Sequence, residues 1–150
     1  LLYSEREKVV KTILLFGTFS ENSDYLPAVV CKTAASINAK IVKHTKLALK
    51  EIDLKIKEII CKDLILKQKF DLAKSVPGVG EQTAIYFLIT TKGFTAFSDS
   101  RKFACYSGVA PFEYSSGSSV RGRTKVNHMA DKKMKLLLQM CALTAIKYDP

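Results

Sequence analysis

The sequence predicts a mainly α protein: a long helical hairpin or coiled coil, then a compact helical domain with a helix-hairpin-helix-like turn and a Ser/Gly-rich loop. Three observations carry this. Between Pro27 and Pro77 lie 49 residues without Gly or Pro, in which Ile37, Ile41, Ala48, Ile52, Ile56 and Ile59 recur mostly three or four positions apart. After Lys74 the pattern changes to short apolar segments punctuated by glycines. Between the two textures, Pro77-Gly78-Val79-Gly80 joins one helical pattern to the next. The organisation expected is a spacer over residues 1–70 and a compact domain over 71–150.

Taken in order, Ser4 to Phe16 reads as an amphipathic helix and Gly17 to Asp24 as a connecting loop. The long pattern predicts a helix from about Thr33 to Lys69, ~55 Å at 1.5 Å per residue. A helix of that length needs a partner for its apolar stripe, either the preceding helix or the same helix of a second subunit. Lys40, Lys43, Lys46, Lys50, Lys55 and Lys57 then form its solvated side, and His44 has a structural role. Further on, Thr83 to Thr91 is helical and closed by Gly93. Asp99 or Ser98 caps a short helix through Tyr106, which Gly108 and Pro111 terminate. Glu113 to Lys125 is an ordered loop or a short hairpin. The last helix starts near Asn127, with Met134, Leu137, Leu138, Cys141 and Ala145 on one face. No internal repeat is visible.

Composition narrows the function. There are 24 Lys+Arg against 14 Asp+Glu, a formal charge of +10, which suggests a polyanionic partner. From Ser115 to Lys135 six basic residues face one acid, Asp131, so the C-terminal half is basic in one place. No apolar run approaches the ~20 residues that span a bilayer, and no signal peptide is recognisable, which makes a soluble cytoplasmic protein the expectation. Cys31, Cys61, Cys105 and Cys141 form no CxxC pair and read as reduced, mostly core thiols. Walker, Rossmann and HExxH motifs are absent, so nucleotide hydrolysis and zinc peptidase chemistry are set aside. The first residue is Leu and a helical pattern is still running at Tyr148, which suggests a fragment of a longer chain.

Two segments carry chemistry. In Pro77-Gly78-Val79-Gly80 the glycines permit a tight turn and close backbone approach, and the N–H groups opening the next helix can hold a phosphate oxygen. The same residues also suit a plain helix-helix turn. In the second segment, Ser115, Ser116, Ser118 and Ser119 surround Gly117 and are followed by Arg121, Arg123 and Lys125. Hydroxyls beside guanidinium groups suit phosphate chemistry, as nucleophile or as ligand; a solvated loop that binds phosphate backbones is the simpler alternative. His128 is the histidine nearest these serines in sequence, as a base or a phosphate contact. The carboxylates of this half, Glu81, Asp99, Glu113, Asp131 and Asp149, are spread singly, so no metal site is expected here.

The order of motifs is distinctive. Leu72 and Ser75-Val-Pro-Gly-Val-Gly80 with Thr83-Ala84, then Phe97 to Pro111 with its Tyr106-Ser-Gly-Val-Ala-Pro111 ending, then Tyr114-Ser-Ser-Gly117 and a basic stretch, together resemble the C-terminal domain of the DEDD-serine insertion-sequence transposases. This is the group numbered one hundred and ten, related to the Piv and MooV recombinases and guided by a bridge RNA. The likeness is close over about residues 70–148 and looser upstream, where family members carry a lysine- and glutamate-rich coiled coil.

The resemblance implies a DNA transposase or recombinase in which a serine hydroxyl attacks a phosphodiester and forms a transient phosphoserine link. Ser116 stands at the family's nucleophile position, with Ser115 as the adjacent alternative. Gly78, Gly80, Arg121, Arg123, Lys125, His128, Lys132 and Lys133 would contact DNA or guide RNA. An N-terminal domain that binds Mg²⁺ through four acidic residues would lie upstream of Leu1, and without it this segment would be inactive. Homo-oligomerisation through the long helix is also expected. Ala130-Asp131 and Met134-Lys135 depart from the family's usual Gly-Asn and Leu-Arg, so no catalytic role is assigned at that helix start. The competing reading is a non-catalytic helix-hairpin-helix nucleic-acid-binding module.

Overall fold

A computed structural model describes residues 1–18, 27–112, 115–116, 120–126 and 128–148, with the backbone alone at 115, 116, 120 and 121. The chain is mainly α and divides into two compact units, Leu1–Asp63 and Leu64–Pro150. No helix among the described residues is long and apolar enough to cross a membrane.

The first unit is a pair of helices, α1 (Leu2–Gly17) and α2 (Ala28–Lys62). The Arg6 Nε donates to Asp53 Oδ1 at 2.7 Å, so the start of α1 lies beside the later part of α2. A parallel arrangement would require the connection from Gly17 to Ala28 to cover about 54 Å, whereas that stretch fully extended reaches ~38 Å. The pair is therefore an antiparallel hairpin. The expected loop from Gly17 to Asp24 lies, beyond Thr18, outside the described residues.

Along α2 the less exposed positions include Cys31, Ala34, Asn38, Ile41, Thr45, Ala48, Ile52, Ile56 and Ile60, a stripe at helical spacing flanked by Val42, Leu49 and Asp53. At about 24 Å, α1 is less than half the length of α2, at about 52 Å. The stripe consequently emerges at the N-terminal end of α2, where Val30 and Ile37 are more than half exposed. Lys40, Lys43, Lys46, Lys50, Lys55 and Lys57 are all exposed. Glu58 accepts from Lys55 at 2.8 Å and from Lys62 at 2.7 Å, and these hydrogen bonds lower its carboxyl pKa.

The expected helix boundary changes in this unit. The helix expected from Thr33 to Lys69 ends at Lys62, and a new one, α3 (Leu64–Lys74), begins after Asp63. Asp63, the C-cap of α2, has φ −103° and ψ 110°, an extended backbone that interrupts the helical pattern. His44 is exposed on α2 and is not part of a core. The thiols are also less buried than expected: all four are free, but only Cys141 is buried, and Cys61 is exposed.

The second unit contains α3, α4 (Glu81–Thr90), α5 (Ser100–Tyr106), the two-residue strands β1 (Ser115–Ser116) and β2 (Val120–Arg121), and α6 (Lys132–Tyr148). Among the described residues its buried apolar side chains are Ala73 of α3, Ala84, Ile85, Phe87 and Leu88 of α4, and Met134 and Cys141 of α6, joined by the polar Thr91 and Ser107. Phe103 of α5 meets Phe87 edge-on at 6.3 Å between centroids and Phe97 at 5.5 Å. At the end of α4, Gly93 (φ 65°) donates its N–H to the Leu88 carbonyl at 2.7 Å, as its closing role requires. The Gly93 carbonyl accepts from Lys69 Nζ at 2.6 Å, tying α3 to that turn. Asp99 caps α5 through its side chain, which accepts from the Lys102 N–H at 2.8 Å. The last helix begins five residues later than expected, at Lys132, because Asp131 caps it; the expected start at Asn127 lies outside the described residues.

A candidate nucleic-acid interface and serine hairpin

Two local structures put the candidate residues in position. The first is the turn between α3 and α4. The Val79 N–H donates to the Val76 carbonyl at 3.1 Å, with Pro77 and Gly78 between them and Gly78 at φ 82°. Pro at the second position and a left-handed Gly at the third are what a type II turn requires. A Cβ at Gly78 would collide with the Cys141 carbonyl oxygen and sit 3.1 Å from the Ala145 nitrogen, so the turn lies directly on the α6 backbone. Gly80 differs. It is the N-cap of α4 with no side-chain cap, is exposed, and a Cβ there would meet nothing within 4 Å. Thus one glycine of the motif serves close packing, and the other leaves the N-cap of α4 without a side chain.

The second structure is an antiparallel hairpin. The Phe112 N–H donates to the Lys125 carbonyl at 3.0 Å, and the Lys125 N–H returns a bond to the Phe112 carbonyl at 3.1 Å. Further out, β1 pairs with β2 in the register Ser115 with Arg121 and Ser116 with Val120. The segment is therefore a hairpin rather than an irregular loop. Both candidate serines stand on its outgoing arm, and Arg121, Arg123 and Lys125 on the returning arm. Arg123, Lys125, His128 and Lys132 are exposed. The side chains of Ser115, Ser116 and Arg121, and the whole of Glu113, Tyr114, Gly117, Ser118, Ser119 and Asn127, lie outside the described residues.

Sequence spacing does not show what anchors this hairpin. Asp131, a lone carboxylate in the sequence, is where three helices converge. Its Oδ2 accepts from the Tyr86 hydroxyl of α4 at 2.8 Å and from the Tyr106 hydroxyl of α5 at 3.3 Å. Its Oδ1 accepts from the N–H groups of Lys133 and Met134 at 2.9 and 3.0 Å, capping α6. Its own N–H donates to the Tyr106 carbonyl at 2.9 Å. Partial burial opposes ionisation of this carboxyl. The N–H of Met134, the Tyr86 hydroxyl, the N–H of Lys133 and the Tyr106 hydroxyl outweigh that, and its pKa falls below the ordinary aspartate value. Burial and the adjacent carboxylate push the Tyr86 phenol up. Lys133 is half-buried, with its ammonium 4.2 Å from the Tyr86 ring centroid, an attractive cation–π geometry. The sequence signal for Asp131 was available: an aspartate directly before a helical Lys-Lys-Met-Lys run is an N-cap pattern.

Among the described residues no three His, Cys, Asp or Glu side chains gather as a metal site would need.

Comparison with known proteins gives the context. Residues 71–150 match the family model described as Transposase IS116/IS110/IS902 family. The pilin gene-inverting protein of Moraxella bovis is 24% identical over 102 residues, 68% of this chain and 32% of its own length. The protein of the same name from Moraxella lacunata matches to the same extent. An uncharacterised 43.6 kDa protein of insertion element IS110 from Streptomyces coelicolor is 33% identical over 76 residues, 51% of this chain and 18% of its own length. The chain thus spans about a third or less of the curated relatives it matches.

Proposed function

The chain belongs to the IS116/IS110/IS902 transposase family, and from that membership we propose that it is the part of a DNA transposase that binds DNA and supplies the nucleophilic serine, Ser116. The observation that carries the reading is the hairpin register, with Ser115 and Ser116 on one arm and Arg121 on the other, leading to the exposed cations Arg123 and Lys125. In the reaction the Ser116 hydroxyl oxygen attacks a DNA phosphorus. An O–P bond forms, the bond from phosphorus to one bridging DNA oxygen breaks, the serine loses its proton and the departing DNA hydroxyl gains one. The cations offset phosphate charge as it shifts between oxygens. Arg121, Arg123, Lys125, His128 and Lys132 hold the backbone, and the start of α4 at Gly80 takes a phosphate. The names of two relatives, pilin gene-inverting proteins, support a DNA-rearranging role.

The proposal extends to partners. Guide RNA selects the target, and a domain outside these residues supplies Mg²⁺ sites. A second copy covers the part of the α2 stripe that α1 leaves exposed around Val30 and Ile37. In sedimentation experiments the full-length protein is expected to be oligomeric and Ile37→Glu to shift it towards the monomer. An unchanged distribution would remove this stripe as the contact.

Binding to phosphates releases counterions, so DNA affinity is expected to fall steeply with salt. Arg123→Ala and Lys125→Ala should each weaken binding at every DNA sequence and lower the salt slope by roughly one. Filter binding or anisotropy over a salt series measures this. Slopes identical to the parent protein would take these two cations out of the interface.

A further inference from the structure

We propose that Asp131 is a positioning residue for the serine hairpin, fixing where its two arms leave the helical core. The inference rests on the assignment of Ser116 as nucleophile. The outgoing arm leaves α5 immediately after Tyr106, and the returning arm enters α6 at Asp131. Those two residues are joined twice, by the Asp131 N–H on the Tyr106 carbonyl at 2.9 Å and by the Tyr106 hydroxyl on the carboxylate at 3.3 Å. Both bonds cross the base of the hairpin. Immediately beyond them, Gly108 (φ 69°) approaches so closely that a Cβ there would lie 2.6 Å from the Ala130 Cβ and 3.3 Å from Val126. The next fixed points outward are the paired Phe112 and Lys125, then β1 and β2.

The same carboxylate reaches inward. Tyr86 belongs to the buried helix α4, and its 2.8 Å bond to Asp131 links the base of the hairpin to the core of the unit. Lys133 lies over the other side of the contact, on the Tyr86 ring. One side chain therefore caps α6, clasps the end of α5 and is anchored by α4. A nucleophile on a two-residue strand has little intrinsic rigidity, since short hairpins are marginal alone. An attacking oxygen misplaced by ~1 Å can lose about 10²-fold in rate. Pinning both arms at their root restricts such displacement, and it does so without Asp131 touching the DNA.

The test separates positioning from folding. Tyr86→Phe combined with Tyr106→Phe removes the hydroxyls but leaves the α6 cap intact. In the full-length protein this variant is expected to remain folded with a modestly lowered unfolding midpoint and to keep its DNA affinity within about two-fold, while formation of the Ser116 adduct in the folded protein slows by roughly ten- to hundred-fold. Amide exchange at Phe112 and Lys125 should accelerate. Asp131→Asn keeps the α6 cap through its amide oxygen and meets the two hydroxyls with an NH2 donor from which they can accept, so it should retain most of both properties, and Asp131→Ala should not. Wild-type exchange at Phe112 and Lys125 in the double tyrosine variant would overturn the proposal. So would an Asp131→Ala protein that loses adduct formation only in proportion to its unfolded fraction. An adduct that maps away from Ser116 would instead overturn the nucleophile assignment, while the exchange data still decide whether Asp131 pins the hairpin.

Discussion

Full-length protein carrying Ser116→Ala is expected to lose strand exchange by at least ~10³-fold while retaining DNA affinity within about two-fold. The size follows from chemistry. Removing the attacking oxygen removes the covalent route itself, and nucleophile deletions in serine enzymes cost several orders of magnitude. Affinity should be largely spared, because in the proposed function phosphate binding falls to cations such as Arg123 and Lys125, which are exposed and which the substitution leaves in place. Ser115→Ala, the adjacent control, should stay within about ten-fold of the parent protein, since it alters the surroundings of the nucleophile but not the attacking atom. A recombination assay paired with anisotropy measures both quantities. Full activity in Ser116→Ala together with its loss in Ser115→Ala would move the nucleophile by one residue.

Gly78→Ala should have the largest effect on stability. At φ 82° any L-residue carries a conformational cost of ~1–2 kcal/mol. The new methyl would also collide with the Cys141 carbonyl oxygen, a backbone atom in the middle of α6 that cannot rotate away. Either the turn must lift off α6 or the helix must shift, and both expose the contact between them. Together these predict a loss of about 3 kcal/mol or more in the Leu64–Pro150 unit. Gly80→Ala, two residues away, meets open space and should cost no more than ~1 kcal/mol through the weaker cap. Denaturation followed by amide exchange in α4 and α6 distinguishes them. Equal midpoints for the two variants would contradict the close approach.

The contrast between these glycines shows where sequence reading works and where it stops. The helical hairpin was legible because α2 repeats its apolar positions over ten turns, and the Asp99 cap and the Gly93 closure were legible because each is a local signal. The end of α2 was not. Its break falls at Asp63, with no Gly or Pro nearby, and a single aspartate is a weak signal inside a long apolar pattern. Pro77-Gly78-Val79-Gly80 announced a turn, but that Gly78 lies on α6 depends on a contact with Cys141, 63 positions away. The capping role of Asp131 has a local signal in the Lys-Lys-Met-Lys run that follows it, but its tyrosine partners do not, since Tyr86 and Tyr106 lie 45 and 25 positions away. The hairpin sits between these cases. Serines and glycines allowed either a loop or a hairpin, and the backbone pairing of Phe112 with Lys125 selects the second.

The central claim is that Ser116 forms the covalent link to DNA. Its most direct test is to stop the full-length protein, with its RNA and DNA, during strand exchange under denaturing conditions and map the modified residue by mass spectrometry. The account predicts a nucleotide phosphate on Ser116, formed in the parent protein and absent from Ser116→Ala. An adduct on another residue, or strand exchange at full rate with no covalent protein–DNA species, would contradict it.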